Sequence, residues 1–274
     1  MRRRLFGAAL VAATAVALTF LVLPLAAIFA RVPLGRLVAQ LGDGAVVDAL
    51  VVTAKANGIA IALILVVGTP AAYLLATRRF PGRALLVTLV ELPLVLPPAV
   101  AGIALFAAFG RAGLLGGELD ALGVQIPFTQ AAVVLAVAFV ESPFYLRGAI
   151  AAFEALDPRL LEASRTLGAG PARTFARVAL PLAAGGLGAS SALALARGLG
   201  EFGATIVFAG SLRGVTQTLP LAIYAEFEQS FDVALAIGAL FVVAGAGLLL
   251  VLKALEWLRF DWIWPSRSAA STST

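Results

Sequence analysis

Polar positions in this chain are bunched, and long apolar runs lie between the bunches. The runs extend from Leu5 to Ala30, Ala49 to Leu75, Ala84 to Phe109, Thr129 to Leu146, Leu182 to Phe208 and Val233 to Leu252. Each is long enough to cross a bilayer core as a helix. None alternates with the period of two that marks a barrel strand. In lipid the backbone must satisfy its own hydrogen bonds, which helices do within one segment. The pattern therefore predicts an all-α integral membrane protein with six transmembrane helices. Arg2, Arg3 and Arg4 before the first run imitate a secretory signal, but the run far exceeds the roughly 7–15 residues of a signal core. A retained first helix is expected.

The spans differ in character. Lys55 and Asn57 fall near the outer end of the second, where a lysine reaches the interface along its own stem. The third carries Pro93, Pro97, Pro98 and Gly102. Proline there removes ladder hydrogen bonds and is tolerated where neighbouring protein replaces them, so a kinked helix buried in a bundle is expected. The fifth contains Arg197 and Glu201, four residues apart on one helix face. The sixth has Gly238, Gly245 and Gly247 as small-residue contact points. Beyond it the chain is aromatic, then rich in Ser and Thr, and 265–274 is expected to fray.

The longest polar interruption, Phe153 to Pro181, sits between the fourth and fifth spans. Asp157 is placed as an N-cap and Pro158 as the first residue of a short helix. Leu160, Leu161, Ala163 and Leu167 are expected on one face, with Arg159, Glu162 and Arg165 pointing elsewhere. Gly168 ends the helix, because the position after a helix favours a residue with positive φ. Gly170 and Pro171 turn the chain, and a second amphipathic piece leads to Pro181 at the membrane surface. A short, capped, amphipathic helix outside the bilayer suits docking into a groove on another protein. An interfacial loop helix has the same periodicity.

Composition narrows the chemistry. Hydrophobic residues make up 61% of the chain and charged ones 13%, and mean hydropathy is +1.02, which excludes an ordinary soluble domain. The net charge of +5 follows loop position and forms no nucleic-acid face. Segments 1–4, 77–83, 147–178 and 253–274 hold fourteen of the twenty Lys and Arg, whereas 31–48, 110–128 and 209–232 hold four. That asymmetry predicts cytoplasmic termini and a cytoplasmic 153–181 loop. There is no cysteine or histidine, so Cys/His metal sites and His-based triads are excluded. Neither lysine follows a glycine, so no phosphate-binding Walker loop exists. If ATP drives the protein, another polypeptide binds it.

Within the loop, Glu162-Ala163-Ser164, three residues, Gly168, nine residues and Val178-Ala179-Leu180-Pro181 resemble the EAA loop of ABC-transporter permeases. Ser164 and Val178 stand where that pattern has alanine and isoleucine. Over about 45–253 the chain further resembles molybdate permeases. The segments concerned are Phe80-Pro81-Gly82-Arg83, Leu92 to Pro98, Phe109-Gly110-Arg111, Ala196 to Thr205 and Thr218 to Tyr224, with closely similar sulfate permeases as relatives. The resemblance implies a type I ABC importer permease fold in one membrane domain over 1–274, in the inner membrane, as a homodimer. It also implies a cytoplasmic ATPase dimer carrying ATP and Mg, and a periplasmic molybdate-binding protein. Leu160, Leu161, Glu162, Ala163, Ser164, Leu167 and Gly168 would then form the surface the ATPase grips. This chain would catalyse no bond-making step and would bind no cofactor or metal.

Arg197, Glu201, Thr205, Pro97 and Pro98 are the candidates beside a translocation pathway. Arg197 and Glu201 read either as a neutralised structural pair or as an oxyanion attractor. Glu91 is expected to reach the cytoplasmic interface. Glu141 is expected to be solvated or paired with Arg147. Ser190, Ser191, Thr205 and Thr216 offer hydroxyls to an oxyanion or to neighbouring backbone. Sulfate or tungstate is the nearest alternative substrate. An ATP-independent carrier or channel would be expected to show paired gating carboxylates or an inverted repeat and to transport alone, and no convincing repeat is evident. A membrane-embedded enzyme is disfavoured by the lack of His, Cys and a clustered carboxylate site.

Overall fold

The structure is a computed structural model. It describes the backbone of residues 2–33, 35, 39 and 42–263, and side chains up to residue 250 except those of residues 2 and 4. The described residues are mostly helical, without strands. In chain order the helices are α1 (Arg2–Arg31), α2 (Gly44–Thr77), α3 (Arg83–Val95), α4 (Pro98–Phe109), α5 (Gly116–Ala121) and α6 (Gln130–Glu154). They continue with α7 (Pro158–Thr166), α8 (Pro171–Leu199), α9 (Gly203–Phe208), α10 (Leu219–Phe227) and α11 (Phe231–Ile263).

Among the described residues five helices are long and apolar enough to cross a membrane (α1, α2, α6, α8 and α11), and the pair α3 and α4 makes six if it counts as one crossing. The two ends of the pair meet opposite ends of α6. Arg83 at the start of α3 is ion-paired with Glu154 at the end of α6. The Phe106 ring on α4 meets that of Phe128, just before α6 begins, at a centroid distance of 5.9 Å.

The expected single kinked helix is instead broken, with a bend of 118° between α3 and α4. The cause is local. Pro97 and Pro98 lack N–H groups, and each proline pushes its predecessor out of the helical region; Leu96 has ψ 132° and Pro97 ψ 136°. The expectation of burial also fails for α3, which contributes no buried residue within the chain, whereas α4 buries Ala101, Gly102 and Leu105.

Helix α6 is the hub. It packs along α2 on one side and α8 on the other, and touches α3, α4 and α9. Its N-terminal half joins Ala56, Ala60, Leu105, Ala204 and Phe208 through Val133, Ala136, Val137 and Val140. Its other half joins Leu75, Leu161, Ala183 and Leu187 through Tyr145, Ala149 and Phe153. Alanine and valine dominate these seams because close backbone approach, not aliphatic bulk, drives helix association in lipid.

Several boundaries move from the sequence expectation. The fourth span runs on to Glu154, with Pro143 inside it. The fifth begins at Pro171 and passes through Pro181 unbroken, taking up one π-turn at Phe175–Ala179. It ends at Leu199, so α9 is a separate short helix. The sixth continues to Ile263, and the tail at 265–274 lies outside the described residues. Asp43 starts α2 by accepting the Ala45 amide at 2.7 Å. Among its described side chains helix α1 buries none in the bundle, and it touches α11.

Candidate functional site

Two places gather the residues that carry chemistry. One is the helix between α6 and α8, and the other is the junction where α8 stops.

Helix α7 is built as its local sequence dictates. Asp157 Oδ1 accepts the Arg159 amide at 2.9 Å, and Pro158 occupies the first turn, where its missing N–H costs nothing. At the other end Gly168 has φ 83°. Its amide reaches Arg165 O at 2.9 Å, and the Ala169 amide reaches Ser164 O at 3.1 Å. This paired closure is the Schellman arrangement, which a side chain at Gly168 would strain.

The one-face expectation is corrected at Leu161. That side chain turns inward and is 8% exposed, in a cluster with Phe153, Ala179 and Ala183. The reason is helical phase: at 100° per residue Leu161 falls far from the stripe shared by Leu160, Ala163 and Leu167. Those three and Glu162 are exposed. Ser164 Oγ lies 3.1 Å from Thr174 Oγ1 at the start of α8. Leu161 and Ser164 thus fasten α7 to the bundle while Leu160, Glu162, Ala163 and Leu167 face outward.

The same end carries a second brace. Arg83 donates Nε–H to Leu75 O at 2.6 Å and is hydrogen-bonded to Glu154 through its terminal nitrogen. A cleft of about 440 Å³ runs between Thr77, Arg79, Arg83, Glu154, Leu156 and Leu161.

At the interior junction, Gly200 ends α8 and Glu201 begins the turn into α9. Arg197 Nη2 stands 2.9 Å from Glu201 Oε2. Glu201 Oε1 accepts the Ala204 amide at 2.7 Å, so one carboxylate pairs the last turn of α8 and caps the first turn of α9. The expected ion pair is present, but not along one continuous helix. Capture of the α9 amide by Glu201 redirects the chain. Pro98 meets this turn: a Cβ on Gly203 would be 2.5 Å from Pro98 Cβ. Arg197, Glu201, Thr205 and Pro98 therefore belong to one locality, with Pro97 the N-cap of α4 beside it. Thr205 is fully buried, and its hydroxyl has no hydrogen-bond partner.

The expectation for Glu141 is overturned. It is fully buried and meets neither water nor Arg147, which pairs with Glu91 at 3.6 Å near the protein surface. Two facts explain this. Helix α6 does not end near Leu146, so Glu141 lies several turns inside it. A spacing of six residues also sets Glu141 and Arg147 on different faces. Both Glu141 oxygens lack hydrogen-bond partners. The carboxylate lies against Gly198, where a Cβ would come within 1.7 Å of Oε1.

Other hydroxyls serve local backbone. Ser190 and Ser191 bond Gly186 O and Leu187 O at 2.7 Å each. Thr216 accepts the Leu212 amide at 2.9 Å. The sequence did not reveal Thr53, whose hydroxyl accepts the Leu219 amide at 2.8 Å and ties α10 to α2. Asn57 is also buried; its amide donates to Thr53 O, and its carbonyl oxygen has no partner. Among the described residues no three carboxylates converge to hold a metal ion.

Residues 68–257 match the family described as binding-protein-dependent transport system inner membrane component. A relative, the molybdenum transport system permease protein ModB of Mycobacterium bovis, is 43% identical over 231 residues, covering 84% of this chain and 87% of that protein. The sulfate transport system permease protein CysW of Synechococcus elongatus is 37% identical over 223 residues, covering 81% and 78%. Among solved structures, a chain of a bacterial alginate ABC transporter in complex with an alginate pentasaccharide-bound periplasmic protein superposes with a TM-score of 0.75. The match covers 93% of this chain and 94% of that one at 17% identity, a likeness of fold. Six apolar crossings, a capped helix between the fourth and fifth, and this match over most of the chain lead to one conclusion: the chain belongs to the family of binding-protein-dependent transport system inner membrane components.

Proposed function

We propose that this chain is the permease subunit of an ATP-driven importer that carries molybdate inward, two copies forming the passage. The single observation that carries the reading is α7. It is a rigidly closed helix at the shared end of α6 and α8, fastened through Leu161 and Ser164, with Leu160, Glu162, Ala163 and Leu167 facing outward. A cytoplasmic ATPase dimer holding ATP and Mg grips that face. Because α7 is closed at both ends and braced inward, a push on it passes into α6 and α8 as motion, not as local unwinding.

Nucleotide binding draws the two α7 helices together, and the passage opens outward to a periplasmic binding protein that delivers the anion. Hydrolysis returns it inward. The basic bias of the α7 side supports cytoplasmic termini and a cytoplasmic α7. Molybdate is favoured by the 43% identity to the Mycobacterium bovis protein. Sulfate is the second reading, supported by the Synechococcus elongatus relative.

The test is reconstitution with the ATPase and a binding protein loaded with molybdate or sulfate. Molybdate-loaded protein should stimulate hydrolysis and uptake. Glu162→Arg or Gly168→Val should leave membrane insertion intact, lower uptake at least tenfold and detach it from hydrolysis. Undiminished uptake in both variants would sink the coupling role, and stimulation by sulfate alone would reassign the substrate.

A further inference from the structure

Two buried glutamates lie beside the end of α8. Glu201 holds Arg197 at 2.9 Å. Glu141 comes from the neighbouring helix α6 and has neither oxygen bonded. Its carboxylate presses on Gly198, the residue next to Arg197 in the chain. Adjacent α-carbons are about 3.8 Å apart, and an arginine side chain is longer than that, so the guanidinium is long enough to reach toward Glu141. Room for the swing exists, because the Arg197 side chain is 30% exposed whereas that of Glu201 is 1% exposed.

We propose that Arg197 is a two-position latch, held by Glu201 in the conformation seen here and by Glu141 in the other conformation of the transport cycle. The proposal rests on the reading of α7 as the point where an ATPase acts. Glu141 is a positioning residue that works through Arg197. A buried carboxylate without a counter-charge is costly, so each position leaves one carboxylate wanting the cation and neither is a deep trap. That near balance is what a bistable element requires.

The placement connects the latch to α7. Helix α6 runs into α7 and α8 runs out of it, and Gly198 is where the two helices touch beside Glu141. Sliding α8 along α6 shifts Gly198 past Glu141 and carries Arg197 with it. Release of Glu201 from Arg197 then frees the turn that sets the direction of α9, beside Pro98 and Thr205. Gly198 permits the sliding because it presents no side chain to Glu141.

The experiment uses the whole importer in proteoliposomes, with Glu141→Gln, Glu201→Gln, Arg197→Gln and the paired variants. Glu141→Gln keeps the shape of the side chain, so folding is preserved. Thermal midpoints are read without nucleotide, and again with ATP on a hydrolysis-deficient ATPase. Non-additive midpoint shifts identify residues that interact. Arg197 should couple to Glu201 in one nucleotide state and to Glu141 in the other, and Glu141→Gln should lower uptake at least tenfold.

Additive shifts for Arg197 and Glu141 in both states would overturn the latch, as would wild-type uptake in Glu141→Gln. Failure of the wild-type complex to couple hydrolysis to uptake would instead count against the reading of α7. Normal wild-type coupling with additive shifts would count against the latch alone.

Discussion

Gly198 shows how narrowly single residues are constrained in this bundle. Its missing side chain is the space that the Glu141 carboxylate fills, since a Cβ would lie 1.7 Å from Oε1 and 2.4 Å from the carboxyl carbon. Gly198→Ala should therefore lower the thermal midpoint of the detergent-solubilised protein, at the cost of about 1–3 kcal/mol typical of an overpacked interior. The double variant Gly198→Ala/Glu141→Ala should recover most of that loss, because the new methyl enters the room the carboxylate vacates. Equal midpoints for the single and double variants would contradict this account. The Arg197–Glu201 pair was legible from a spacing of four on a helix. Glu141 was misread because its carboxylate lies against Gly198 of α8, which is more than fifty positions away in the chain.

At the scale of elements, α7 and the α3–α4 break respond to different forces. The ends of α7 are local devices. Asp157→Ala removes the acceptor for the Arg159 amide and should cost about 1 kcal/mol of local helix stability. Amide exchange across 159–167 should quicken several-fold while the middle of α6 stays protected; unchanged exchange would remove the cap from the argument. The α3–α4 bend depends on consecutive prolines that cannot continue the ladder. Replacing Pro97 and Pro98 with alanine should let the helix run on, and spin labels at exposed Leu89 and Ile103 should move apart. The chain has no native cysteine, so labelling at introduced ones is specific. Proline made the interruption visible in the sequence. The 118° angle was not visible, because it depends on α4 docking against α9.

The molecule as a whole is organised by crossings and by charge. With six crossings, the α5–α6 loop and α7 lie on opposite sides of the bilayer. Leu122 in that loop is 76% exposed and Leu167 beside α7 is 87% exposed. Cysteine at position 122 should react from outside intact cells with a membrane-impermeant maleimide, and cysteine at 167 only after the membrane is opened. The reverse pattern would invert the orientation drawn from the arginine distribution.

By itself the sequence determined the number of crossings, the class of fold and the capped helix between the fourth and fifth spans. These properties follow from hydropathy, from proline and glycine, and from caps within a few residues, all of which act along the chain. Only the tertiary structure decided that Leu161 turns inward, that Glu201 caps α9 while holding Arg197, and that Glu141 is buried against Gly198. The physical reason is that a membrane helix is apolar on every side, so its periodicity does not reveal which face meets protein and which meets lipid. That choice is made where helices touch, by small residues and buried polar groups whose partners lie on other helices.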